Sequence, residues 1–235
     1  YRSGMTFTGF PESAWPLLAA AGQHDLAWYR RNRRALHDDV VTPARALVTD
    51  LGPPLHQLIS PRLMVDPRIN KSLAPLTNDA RFPHRPPVKG YLDLRFTETG
   101  TDPAGAPVLL VRLAPGSVRF GCGARFLGSG IDTFRDAVAG PLGPELAEIL
   151  SRLEAKPEHE SRPPELARVP RGYDADAPQA DLLRHRSLQV AWTEPAPRVI
   201  TSGRFVGWCA RRLVDLGDLH RWLCSHTRSD PVISD

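Results

Sequence analysis

The sequence predicts an α+β fold, a single domain whose antiparallel sheet of about four to six strands is packed by N-terminal, middle and C-terminal helices. Three observations point there. Residues 91–96 alternate apolar and polar side chains with the period of a half-buried strand. Two apolar runs, 108–113 and 118–123, flank Ala114-Pro-Gly-Ser117, a turn of hairpin length. Apolar residues recur at helical spacing in the first third and from Phe205 to Leu223. At 235 residues the chain is long enough for one substantial core. Its 41% hydrophobic and 24% charged residues are those of an ordinary soluble globular protein, and its apolar runs are far too short to cross a bilayer.

Pro11 and Glu12 open a short helix through Leu17 and Leu18 that ends near Gly22, with Pro16 tolerated only in its first turn. Asp25 caps a longer helix carrying Leu26, Tyr29, Leu36 and Val40, whose outer face holds Arg30, Arg31, Arg33 and Arg34. Thr42 and Pro43 read as cap and first residue of a third helix, which Gly52-Pro-Pro54 should stop after Leu51. In the first strand Leu92, Leu94 and Phe96 share one face, and Tyr91, Asp93 and Arg95 the other. In the strand from Val118, the residues Arg119, Gly121 and Gly123 share a face almost without side chains. That face is either the floor of a depression or a place where a bulge or a tightly packed helix comes close.

Helices return with Ile131, Phe134 and Val138, then with Pro144 leading Leu146, Ile149, Leu150 and Leu153. The proline-rich, charged stretch 158–173 reads as a surface connection. A short helix over Gln179–Leu183 precedes a last strand, 187–193, with Leu188, Val190 and Trp192 inward. One terminal helix is expected from about Gly203 to Cys224 along Phe205, Cys209, Leu213, Leu216, Leu219 and Leu223. Tyr1-Arg-Ser-Gly4 reads as residues left over from an expression vector, so the domain is placed at 5–226, with 227–235 a flexible tail.

Cys122, Cys209 and Cys224 are odd in number and lack Cys-x-x-Cys spacing, which speaks against a disulfide framework or structural zinc and for a reducing, cytoplasmic setting. Cys122 alternates with core residues, Cys209 lies on an apolar stripe, and Cys224 reads as a helix end. The net charge of +4 and pI near 9.2 invite a nucleic-acid reading. Only Lys71, Lys89 and Lys156 are lysines, however, and such a share of arginine and proline is what a GC-rich bacterial genome produces by codon bias. A basic surface joining Arg30–Arg34 to the central arginines stays open as a nucleic-acid or acidic-protein module, without the aromatics that base stacking needs.

Charge concentrates at 60–96, where Arg62, Arg68, Lys71, Arg81, Arg85, Lys89 and Arg95 face only Asp66, Asp79 and Asp93. Six prolines interrupt this stretch, so it presents its cations from turns and short strands. Forked guanidinium donors match carboxylate and phosphate, and Asn70 and Asn78 add neutral hydrogen bonds.

Other chemistries find less support. His24 and His37 are thirteen residues apart, which on a helix turns the second roughly 140° from the first. His220 and His226 read as surface or helix-end residues. There is no Gly-x-Ser-x-Gly elbow, phosphate loop or dinucleotide fingerprint. No metal and no cofactor are expected.

The order of motifs resembles a known family. Phe7-Thr-Gly-Phe-Pro11, Trp28, Ile59-Ser-Pro-Arg62, Asp66-Pro-Arg-x-Asn-Lys71 and Asn78-Asp-x-Arg-Phe82 come first. They are followed by a lysine before a strand, Ala114-Pro-Gly116, Gly121-Cys-Gly123 and Arg171-Gly-Tyr-Asp174. This succession is similar to the uncharacterised proteins of bacteria and fungi grouped as domain of unknown function 2461, over nearly all of residues 5–226. The resemblance implies a single cytosolic α+β domain and transfers no catalytic residues. The turn 82–89 departs from it, being shorter and richer in proline than the lysine-rich turn usual in the family.

The site expected from these residues is metal-independent and takes a small anionic or polar ligand. Arg62, Arg68, Asn70, Lys71, Arg81 and Lys89 would meet the strands bearing Arg95 and Arg119, beside Gly121 and Gly123. The alternative is that the arginines pair internally with Asp66 and Asp79. No membrane partner is expected, and the residues leave the oligomeric state open.

Overall fold

Helix α1 (Ala14–Ala21) holds Pro16 in its first turn, where a missing N–H costs nothing, and ends at Gly22. In this computed structural model residues 6–79, 81, 84, 86–100, 105–156 and 158–227 are described. The expectations for the N-terminal leftover, for residues 228–235 of the tail and for Arg85 lie outside them. Asp25 caps α2 (Leu26–Arg31) by accepting the Trp28 N–H at 2.8 Å.

The long second helix expected from Asp25 is broken. After α2 come a short α3 (Arg33–Leu36) and a π-helical turn at His37–Val41 that runs straight into α4 (Thr42–Leu58). Thr42 is therefore no cap, since Val41 before it is already helical. Nor do Pro53 and Pro54 end α4, which continues to Leu58. Leu47, Val48, Leu51 and Leu55 are all fully buried along it, so burial outweighs the hydrogen bonds that the prolines remove. Gly52 brings Val65 against the helix, where an added Cβ would stand 3.1 Å from its Cγ1.

Among the described residues five strands form one antiparallel sheet in the order β1-β2-β3-β5-β4. They are β1 (Leu92–Phe96), β2 (Val108–Ala114), β3 (Ser117–Arg125), β4 (His159–Ser161) and β5 (Ser187–Pro195). The expected alternations hold, with Leu92, Leu94, Phe96, Leu109, Val111, Leu113, Val118 and Phe120 buried. Gly116, at φ +78°, makes the turn between β2 and β3. β4 lies in the stretch read as a surface connection. It is short and polar, and only its pairing with β5, His159 opposite Trp192, makes it a strand.

The chain forms two compact units. The first holds α1–α4, β1, most of β2, the start of β3, the end of β5 and α8 (Arg204–Asp215). Its aromatic core joins Phe7, Phe10, Phe205, Trp208 and Phe120. Gly9 explains the Phe-Thr-Gly-Phe pattern. It sits at φ +122° so close to Thr201 that an added Cβ would lie 2.1 Å from its carbonyl carbon, while Phe10 N–H donates to Ile200 O.

The second unit holds the rest of β3, α5 (Gly130–Ala139), α6 (Gly143–Glu154), β4, α7 (Ala180–Leu183), most of β5 and α9 (Gly217–His226). α5, α6 and α9 pack together around Phe126, Phe134 and Trp222. The single terminal helix expected from the apolar stripe is thus two helices, α8 and α9, separated at Leu216. The stripe itself is buried from Phe205 to Leu223, since both helices present the same period to their cores.

Candidate functional site

The basic segment is tied to β1 by backbone hydrogen bonds and by one serine. Arg95 N–H donates to Ser72 O at 2.8 Å and Ala74 N–H to Asp93 O at 2.9 Å, so residues 72–74 run beside the strand. Ser72 is fully buried. Its hydroxyl donates to Met64 O and accepts the Asp66 N–H, gathering the loop around one side chain. Asn70 occupies the left-handed region at φ +67°, which asparagine tolerates better than most residues, and its N–H closes a turn onto Leu73 O.

The loop arginines sit in small, self-contained clamps. Arg68 reaches back to Asp66 with Nε and Nη2, and its own backbone N–H donates to the same carboxylate. Arg81 repeats this arrangement on Asp79. Hydrogen bonds from Arg68 lower the Asp66 carboxyl, and those from Arg81 bring Asp79 down to about 2. Both arginine side chains are exposed, at 75% and 85%. Lys89 Nζ donates to Pro75 O at 2.8 Å, and Asn78 Nδ2 to Pro86 O at 2.7 Å, which pins the two sides of the turn. Arg62 and Lys71 are exposed on the loop.

The outward face of the sheet gathers charge differently. Asp93 on β1 has a side chain only 1% exposed. Arg112 on β2 binds it with Nε at 2.7 Å and Nη2 at 3.0 Å, and Arg95 adds Nη2 at 3.5 Å. The Arg112 guanidinium also lies 3.8 Å over the Tyr91 ring. Burial works against the Arg112 charge, and the hydrogen bonds and charge of Asp93 outweigh it, so its pKa is raised. Arg119 on β3 donates from Nη1 to Thr193 Oγ1 at 3.3 Å.

Of the expected site residues, Arg95 thus shares a carboxylate with a neighbouring guanidinium, and Arg119 lies on the outward face of β3. Arg62, Arg68, Asn70, Lys71, Arg81 and Lys89 occupy loops and turns. Gly121 and Gly123 meet β5: an added Cβ at Gly121 would lie 3.2 Å from Val190 O and Ala191 Cβ, and one at Gly123 only 2.4 Å from Leu188 O. The bare face of β3 is therefore where a neighbouring strand comes close.

Arg112 and Asp93 were absent from the expected site. The alternation of β2, with Leu109, Val111 and Leu113 inward, already turns Arg112 outward, but only strand pairing sets it beside Asp93. Guanidiniums donate several hydrogen bonds without giving up a proton near neutral pH, so this cluster can hold an oxyanion.

No helix of the described residues is long and apolar enough to cross a membrane. Comparisons with curated proteins and with solved structures gave no match. One family model, described as a conserved hypothetical protein (DUF2461), matches residues 18–222. That span takes in the basic segment, the whole sheet and most of α9, so the chain belongs to the conserved hypothetical protein family DUF2461.

Proposed function

We propose that the protein binds a small anionic ligand at the outward face of β1–β3, without a metal. The observation that carries this reading is the sharing of one buried carboxylate, Asp93, by two guanidiniums, Arg112 and Arg95. One negative charge against two positive ones leaves the cluster cationic, and the Arg95 side chain remains 52% exposed. Arg119 adds to it. The two-residue connection Pro115-Gly116 between β2 and β3 sets Arg112 opposite Arg119 by hairpin register, and like charges facing each other across a sheet favour a bound anion. A phosphate, sulfate or carboxylate would accept the forked donors that Asp93 leaves over.

Calorimetric titration with phosphate, sulfate and citrate tests the reading. Saturable binding is expected, weakened about tenfold or more in Arg95→Gln and in Arg119→Gln, since one charge-assisted hydrogen bond contributes about 1.5–3 kcal/mol. No saturable binding of any of the three overturns it. So does binding only to DNA or RNA with a steep loss in salt, which would mark a polyanion surface instead.

A further inference from the structure

Glu98, His220 and Cys224 form a second cluster of reactive groups, and all three residues are buried. His220 and Cys224 stand one helical turn apart on α9, so both point from the same face, and His220 Nε2 lies 3.4 Å from Cys224 Sγ. Glu98 arrives from the segment just after β1. One carboxylate oxygen, one ring nitrogen and the sulfur all lie within 4.8 Å of one another. Two residues read from sequence as surface or helix-end positions on α9 are thus core residues: His220 is fully buried and Cys224 is 4% exposed.

Taking a carboxyl, an imidazole and a thiol out of water together is costly, and a shared cation would offset that cost. His220 Nε2 is the ring nitrogen turned toward Cys224 Sγ and so the one placed to be a ligand, while Nδ1 has no hydrogen-bond partner among the described residues.

We propose that Glu98, His220 and Cys224 bind one divalent transition-metal ion, with zinc the best fit. Ligands about 2.0–2.3 Å from a tetrahedral centre lie roughly 3.3–3.8 Å from one another, and the sulfur–nitrogen separation already falls there. A mixed oxygen, nitrogen and sulfur set suits zinc and excludes calcium and magnesium, which take oxygen ligands. Binding breaks the Cys224 S–H bond, forms a metal–thiolate bond and sends the proton to solvent. The dication, one thiolate, one carboxylate and a neutral imidazole sum to zero charge, the state that a buried site favours. Three protein ligands leave a fourth position open on the ion. His24 and His37, the histidines with carboxylate neighbours in sequence, are exposed and take no part.

Titration of the chelator-treated full chain with zinc chloride, in competition with a chromogenic chelator, should show one ion per chain, release of a proton and a raised melting temperature. Cobalt(II) should give intense tetrahedral bands with a sulfur-to-metal charge-transfer band. Cys224→Ser and Glu98→Gln, with folding checked by circular dichroism, should each weaken binding beyond the roughly 10–100-fold that losing a ligand's neighbour costs. His24→Gln should bind as the parent does. Absence of stoichiometric zinc binding, an octahedral cobalt spectrum without the sulfur band, or unchanged affinity in both variants overturns the proposal. The cobalt spectrum of the unaltered chain decides even if a variant fails to fold.

Discussion

Arg112 grips the buried Asp93 carboxylate from the adjacent strand through two nitrogens, at 2.7 and 3.0 Å. Arg112→Ala would leave that carboxylate with Arg95 alone at 3.5 Å. A loss of about 3 kcal/mol is expected, the low end for breaking a buried pair because Arg112 is partly exposed. Arg68→Ala removes an equally well-formed but exposed pair and should leave the urea midpoint unchanged. Equal midpoints for the two variants would show that Asp93 is solvated.

Gly123 and Gly121 should differ in tolerance. An added methyl at Gly123 meets Leu188 O at 2.4 Å and Gln189 Cα at 2.9 Å, backbone that cannot turn aside. At Gly121 the nearest atoms are 3.2 Å away. Gly123→Ala should cost about 2–3 kcal/mol in chemical denaturation and Gly121→Ala distinctly less. The reverse order would mean that β3 and β5 are not so closely apposed.

His185 should make stability depend on pH. Burial holds its imidazole below the ordinary histidine value, against the upward pull of Ser187 O, which accepts the Nδ1 proton at 3.1 Å, and of the Glu165 charge; Arg184 and Asp181 act nearby with opposite signs. The unfolded chain therefore takes up this proton at a higher pH than the folded one. The contribution is complete above about 6.5 and is lost as pH falls from there through the lower, folded value. His185→Gln should flatten this part of the curve. The Glu165 carboxyl, which is lowered, governs a separate loss in more acid solution. An imidazole resonance of His185 titrating at or above the ordinary value would contradict the sign.

Tyr173, in the Arg171-Gly-Tyr-Asp174 pattern, should ionise late. Burial, together with its hydroxyl's hydrogen bond to Asp136 at 2.8 Å, pushes it up to about 12. Asp136→Asn should bring the ultraviolet titration back toward the usual value of about 10. The pattern's glycine has a purely conformational role. Gly172 sits at φ +97° with nothing near an added Cβ, so Gly172→Ala should cost about 1–2 kcal/mol through the backbone alone.

Much of the architecture was legible because it is local. The alternation at β1, the hairpin at Pro115-Gly116, the Asp25 cap and the faces of α5 and α6 each follow from a few neighbouring residues. The candidate site was legible only in part. Arg95 and Arg119 were found because strand alternation turns them outward. Arg68 and Arg81 were equally visible, but each binds the aspartate two residues before it, a contact as local as the motif that announced them.

From the order of its residues alone, this chain settles its family, its α+β class and the turn residues that shape its loops, since periodicity and backbone preference act over a few positions. Tertiary structure alone decides that α4 runs through Pro53 and Pro54, that 159–161 becomes an edge strand, that Arg112 stands beside Asp93, and that Glu98 meets His220 and Cys224. Each of these depends on partners distant in the chain, and burial against them outweighs what the local residues would do by themselves.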